Sequence, residues 1–200
     1  MEIIRVDSYT DNRFSQKVLY QHGCFLVEKI PYEVEIFSDF EAVVRGKNKD
    51  IYPQIIEEFR FYTPHITIFY DKDGNFIKKY PSVSVFHLPI DQIQPSQFYV
   101  DREKIEAICN FIYKPEDIII QVMPYNGHYI SLDGHTRLYY AVLNGWDTIR
   151  AVESTVDMDI LKFVEEAQRR KIYSPKDMEL VNHNEYEEKW NRFCDEYFRK

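Results

Sequence analysis

The first 85 residues carry short strand-like patterns. Tyr32-Glu33-Val34-Glu35-Ile36-Phe37 alternates polar and apolar in the manner of a half-buried strand, and Gly23-Cys24-Phe25-Leu26-Val27 is a short apolar run. Residues 51–61 mix acidic and apolar positions, with Ile55, Ile56, Phe59 and Arg60 on adjoining turns of a short helix. His65–Tyr70 and Phe76–Tyr80 flank Asp71-Lys72-Asp73-Gly74-Asn75, which predicts a β-hairpin. The alternative reading of that turn as a calcium loop fails, because Gly stands fourth and Ser82 twelfth where Gly at six and Glu at twelve are needed.

The rhythm changes after residue 82. Val83–Leu88 reads as a strand, and Pro89–Pro95 as a turn-rich connector. Asp101 can cap a helix over 102–113, with Ile105, Ile108, Cys109 and Ile112 on one face. Ile118–Met123 is a continuous apolar strand of the kind covered on both faces. Tyr125-Asn126-Gly127-His128 turns into a returning strand, Tyr129–Leu132. A helix over 135–143 then ends at Asn144-Gly145, followed by a strand at Thr148–Val152. From Asp157 the pattern is helical: Ile160, Leu161, Phe163, Val164 and Ala167 mark one helix, and Ser174-Pro175-Lys176 breaks it. Glu185–Phe198 carries an aromatic stripe of Tyr186, Trp190, Phe193 and Tyr197, which at this spacing predicts core packing.

Composition sets bounds on these elements. The chain has 200 residues, enough for one generous domain or two small ones. Hydrophobic residues make up 44% and aromatics 16%, with 16 Tyr and 14 Phe, which favours aromatic-rich sheet packing over disorder. The net charge of −8, without a concentrated basic patch, argues against nucleic acid as a partner. Cys24, Cys109 and Cys194 are odd in number and far apart, which points to a reducing, cytoplasmic setting with idle thiols. The start, MEIIRVDSYTDN, is not a signal peptide, and no apolar run reaches the length of a membrane span. The six His show no metal-ligand spacing.

The candidate chemistry sits in Asp133-Gly134-His135-Thr136-Arg137. A buried strand delivers an acid and a glycine straight into a helix start. Gly134 permits a sharp turn and close approach of a ligand. The first amides of a helix lack intrahelical partners and carry the positive end of its dipole, so they suit phosphate. Thr136 adds a hydroxyl, and Arg137 a charged fork that bridges phosphate oxygens. Asp133 is placed to hold a phosphate-bridging metal ion or to take a proton from an attacking hydroxyl. Equally, Asp133 can cap the helix and pair with Arg137 one turn later.

The run Phe86-His87-Leu88-Pro89-Ile90-Asp91-Gln92-Ile93-Gln94-Pro95, the strand Ile118–Met123, Leu132-Asp133-Gly134-His135-Thr136-Arg137 and Gly145 together resemble the ParB/sulfiredoxin superfamily, in which this turn contacts nucleotide phosphates. ParB proteins carry Gly-Glu-Arg-Arg there, so Gly134 and Arg137 match while His135 and Thr136 differ. They also continue into a helix-turn-helix domain, unlike the acidic tail here. Sulfiredoxins place their nucleophilic Cys where this chain has His135, which leaves that chemistry without a thiol. The Asp-Gly-His-His-Arg of the free serine kinases is the nearest pattern, with Thr136 in place of the second His, and Tyr173-Ser174-Pro175-Lys176 is similar to a stretch of those kinases. Their general-base Glu, two residues after the connector Pro, is Gln97 here, after Ser96. An amide is no proton acceptor, so Asp101, Glu103 or Asp133 would have to supply the base.

The resemblance implies an α+β fold. A ParB/sulfiredoxin-like mixed sheet with flanking helices over residues 83–153 would bind nucleotide. A β-rich region over 1–82 precedes it, and a helical extension over 154–200 packs on it. It also implies Mg²⁺ with ATP or ADP, the metal carried by Asp133; phosphate binding by Gly134, His135, Thr136 and Arg137; and a substrate pocket at Ser96 and Gln97. Three functions stay open on these residues: a phosphotransferase acting on a small hydroxylated metabolite, a nucleotide-binding module without transfer, and a ParB-like DNA-associated protein.

Overall fold

Strand alternation in the N-terminal region is realised as a six-stranded sheet. The computed structural model describes residues 2–156 and 159–198, and the chain divides into the units Met1–Ser84 and Val85–Lys200. The first unit runs β1 (Ile3–Arg5), α1 (Gln16–Tyr20), β2 (Cys24–Val27), β3 (Ile30–Ile36), β4 (Glu41–Gly46), α2 (Tyr52–Tyr62), β5 (Ile68–Asp71) and β6 (Phe76–Lys79). The strands lie in chain order, antiparallel except for the parallel pair β4 and β5, which α2 connects. Pro53 suits the start of α2 because its missing N–H falls where a helix has no partner to offer. Ile55, Ile56 and Phe59 of α2 are buried against the sheet, and Phe59 meets Phe25 and Phe69 edge to face, each at 6.4 Å between centroids. In the β5–β6 turn, Asp71 Oδ1 accepts the Asp73 and Asn75 amides at 2.9 Å and Gly74 adopts φ +81°, so the hairpin expected at Asp71–Asn75 is present. Pattern reading passed over β1, α1 and β4.

The second unit is a mixed α+β fold. It begins with β7 (Val85–Pro89), β8 (Ile93–Pro95) and β9 (Tyr99–Asp101), followed by α3 (Arg102–Ile108). Next come β10 (Ile119–Tyr125), β11 (His128–Ser131), α4 (His135–Leu143) and β12 (Thr148–Glu153). The C-terminal part holds α5 (Ile160–Arg169), β13 (Glu179–Val181), α6 (His183–Tyr186), a π-helical turn at Glu187–Asn191 and α7 (Arg192–Phe198). A five-stranded sheet is ordered β7-β12-β10-β11-β8, with β10 parallel to β12 and β11 parallel to β8, the other pairs antiparallel. Ile119, Ile120, Gln121 and Val122 are all buried, so central β10 is covered on both faces, as its unbroken apolar run requires.

Several elements differ from expectation. The connector over 89–95 contains edge strand β8, because its three residues pair with Tyr129, Ile130 and Ser131 of β11. The helix expected over 102–113 stops at Ile108, since the Asn110 side chain donates to the carbonyls of Glu106 and Ala107 and closes the last turn. β9 and β13 form a separate parallel pair that no pattern announced. The last helical stretch begins at Asn182, whose capping box with Glu185 sets its start. The helical pattern expected from Asp157 has its first residue outside the described residues.

Aromatic packing closes this unit. Phe98 meets Trp190 at 4.8 Å and Phe193 at 5.2 Å edge to face, Arg170 lies over its ring at 4.4 Å, and Phe163 packs on both Trp190 and Phe193. Of the stripe on the last helix, Tyr186 is buried, and Trp190 and Phe193 pack half-buried against the core. Replacing buried Phe98 by Ala empties the centre of this cluster, and a loss of about 3–5 kcal/mol is expected in denaturant unfolding.

Candidate functional site

The turn between β11 and α4 is fixed from beneath by β10. The amide of Leu132 donates to the Gln121 carbonyl at 2.9 Å. Gly134 then takes φ +80°, ψ 21° as the N-cap of α4. A Cβ at Gly134 would stand 2.6 Å from Ile120 Cγ2 and 3.4 Å from Arg137 Nε. The glycine is thus required by the chain's own packing and left-handed backbone; the space a Cβ would fill belongs to Ile120 and not to a ligand.

Gly134, and not Asp133, occupies the cap position, and no side-chain cap bond is seen there among the described residues, so the amides of His135, Thr136 and Arg137 open the helix without one. Arg137 Nη1 donates to the Ile119 carbonyl at 3.0 Å, which holds the guanidinium against the start of β10. Its Nη2 stands 3.6 Å from Asp133 Oδ2, with the side chains 29% and 48% exposed; in that geometry the pair contributes little to stability. Thr136 is half-buried on the first turn of α4, and its hydroxyl makes no hydrogen bond among the described residues. Helix-start amides, an anchored guanidinium and a free hydroxyl on one turn form a donor set for an oxyanion.

His135 points the other way. Its ring is buried, with Nε2 at 2.9 Å from Ser131 Oγ, 3.1 Å from Ser96 Oγ and 3.3 Å from the Ser96 amide. An amide can only donate, so Nε2 accepts and the ring proton resides on Nδ1. Ser96 Oγ donates to the Ser131 carbonyl at 2.8 Å, which joins the ends of β8 and β11 to the start of α4. Burial depresses the imidazole to about 4, so it is neutral near pH 7. The phosphate role expected of His135 therefore reduces to its backbone amide.

Ser96 and His135 are brought together, but Gln97 turns aside. Its Nε2 donates to the Tyr99 carbonyl at 2.5 Å and lies 3.4 Å from the Tyr186 hydroxyl. Asp101 caps α3, as expected, by accepting the Glu103 amide, and its second oxygen bonds His183, a residue pattern reading did not single out. The turn at Pro175–Asp177 packs against α4 and β8 and leaves Lys176 exposed. The hairpin turn of Tyr125–His128 lies at the opposite end of β11 from Asp133 and lines no common site with it.

Among the described residues no group of three or more His, Cys, Asp or Glu is placed to hold a metal ion. Mg²⁺ that arrives on a nucleotide needs only one or two carboxylates, with phosphate and water completing its shell. Asp133 fits that limited demand, and it does not fit a resident ion. All three cysteines are free, and burial pushes the thiols of Cys24 and Cys194 up to about 12 and 11. No helix among the described residues is long and apolar enough to cross a membrane.

No family model and no curated protein matches the chain. Among solved structures it is similar to protein Atu1540 from Agrobacterium tumefaciens, at 15% identity and a TM-score of 0.35, over 48% of this chain and 61% of that one. It is also similar to sulfiredoxin from Arabidopsis thaliana, at 19% identity and a TM-score of 0.31, over 41% of this chain and 97% of that one. The chain thus spans about three-fifths of the Agrobacterium protein.

Gly134→Ala is expected to cost about 2–4 kcal/mol, the sum of left-handed strain and the collision with Ile120, measured by denaturant unfolding. His135 makes stability depend on pH. Its folded value lies below its unfolded value of about 6.5, so its contribution is whole above pH 6.5 and is lost as pH falls toward 4, where the unfolded chain binds the extra proton. Between pH 7.5 and 4.5 the wild type should lose about 3 kcal/mol through this residue. In His135→Gln that component should be absent from unfolding curves at the two pH values.

Proposed function

We propose that Val85–Lys200 binds the phosphates of a nucleotide at Asp133–Arg137 and transfers a phosphoryl group to a small hydroxylated metabolite. The observation that carries the reading is the uncapped start of α4 beside a guanidinium already fixed on the Ile119 carbonyl. Such donors are set before the ligand arrives, so little ordering cost opposes binding. The resemblance of the motif to the serine kinases supports ATP or ADP with Mg²⁺ as the donor. In this reading the amides of His135, Thr136 and Arg137 and the Arg137 fork neutralise phosphate charge. Mg²⁺ would sit at Asp133, where it supplies further neutralisation of the transferring group. Asp133 also sets the charge beside Arg137.

A second reading is a nucleotide-binding module without transfer. It is favoured by Gln97, whose amide is spent on the Tyr99 carbonyl and is no base.

The two readings part in one experiment. The protein is incubated with ATP or ADP, Mg²⁺ and a panel of hydroxylated amino acids, and phosphorylated product is followed by ³¹P NMR. A new phosphomonoester, abolished in Asp133→Asn while calorimetric ATP binding survives, is the result expected for transfer. ATP binding without product would establish the second reading. Arg137→Ala should weaken ATP binding by about 10–100-fold, the worth of a charged hydrogen-bonding fork. Unchanged affinity in that variant would remove the turn from both readings.

A further inference from the structure

The helical run from His183 to Phe198 is held against the segment that follows β8. Gln97 Nε2 lies 3.4 Å from the Tyr186 hydroxyl, Phe98 packs edge to face on Trp190 and Phe193, and Asp101 meets His183. The aromatic contacts are indifferent to pH. Of these contacts, the one between Asp101 and His183 can change its charge near neutrality, because an imidazole titrates there.

The pair joins elements that are distant in sequence. Asp101 and His183 stand 82 positions apart, on β9 and α6, which pack together. The Asp101 side chain is 1% exposed and both its oxygens are engaged. Oδ1 accepts the Glu103 amide at 2.9 Å, and Oδ2 lies 2.7 Å from His183 Nδ1. The imidazole is 44% exposed, so solvent protons reach it while the carboxylate stays in the interior.

The surroundings favour the charged imidazole. The groups that face it are acidic: Asp101 from β9, Glu103 from α3, and Glu187 from the π-helical turn, with Oε1 at 4.0 Å. Lys104 of α3 lies over the Tyr186 ring at 5.2 Å, and Lys189 of the π-helical turn bonds Glu185 at 3.1 Å. The hydrogen bond to Asp101, and then its charge, raise the imidazole above its ordinary value. Protonated, His183 is the counter-ion of a buried carboxylate. Neutral, its Nδ1–H still donates to Oδ2, but the carboxylate loses that counter-ion and three acids face one another.

We propose that Asp101 and His183 form a proton-controlled latch, which fastens the C-terminal helical run to β9 while the imidazole is charged and slackens it when that charge is lost. The sign follows from linkage. The docked imidazole titrates above the value of about 6.5 that it has when undocked. The latch is therefore whole below pH 6.5 and is lost as pH rises through the docked value. What slackens is the cover over Gln97 and Phe98, since Tyr186, Trp190 and Phe193 belong to the same helical run. The latch stands independently of the function proposed for the turn.

Hydrogen exchange of the full chain tests it. Protection of residues 183–198, corrected for the intrinsic exchange rate, is compared with that of central strand β10 at pH 6 and pH 8.5. In the wild type the ratio should fall about 2–5-fold at the higher pH, the worth of a partly exposed ion pair. His183→Asn offers Asp101 an amide donor that carries no charge, and its ratio should be equal at the two pH values. A flat ratio in the wild type, or an equal fall in His183→Asn, overturns the inference. Should His183→Asn fail to fold, Asp101→Asn takes its place, because Asn still caps α3; an equal fall there overturns the inference as well. One measurement needs no variant: by NMR, a wild-type His183 imidazole that titrates at or below about 6.5 overturns it.

Discussion

The buried imidazole of His135 is the junction on which the second unit's candidate site depends. One ring nitrogen receives the Ser96 amide and lies within hydrogen-bond distance of the Ser131 hydroxyl, so the ends of two parallel strands and the first turn of α4 share an acceptor. Burying an imidazole is unfavourable unless it stays neutral and bonded. Both conditions are met here, and the outcome is that α4 can begin only where β11 delivers it. The helix-start amides and Arg137 inherit their positions from that junction and from the Ile119 carbonyl.

Division of labour within the motif follows. Gly134 and His135 face inward and serve the fold; Thr136 and Arg137, half-buried on the first turn of α4, carry the donors of the proposed phosphate site. Adjacent residues at a helix start diverge by about 100° per step, so a contiguous motif need not act on one ligand. Ser96 and Gln97, in the extended connector between β8 and β9, also point apart: Ser96 joins the His135 junction, and Gln97 turns to Tyr99 and Tyr186.

Local patterns were read well where they were long and strongly biased. The unbroken apolar run of β10, the αL stop at Gly145, the cap at Asp101 and the aromatic stripe ending in Tyr197 each reflect a short-range cause. Short elements with mixed composition were not read: β8 and β9, of three residues each, exist because β11 and β13 supply their partners. Asn182-x-x-Glu185 was a signal for the start of the final helix, and it would have drawn His183 into view.

By itself the sequence determined the mixed α+β class, the glycine at the turn, the acid and guanidinium flanking it, and the excess of negative charge. These depend on composition and on neighbours within a helical turn or a strand repeat. Only the tertiary structure decided that His135 faces inward, that Gln97 is spent on a carbonyl, that Gly134 and not Asp133 takes the cap position of α4, and that Asp101 meets His183 across 82 positions. Side-chain direction at a turn, and pairing over such separations, are set by which strands adjoin. Nothing in a local window encodes that adjacency.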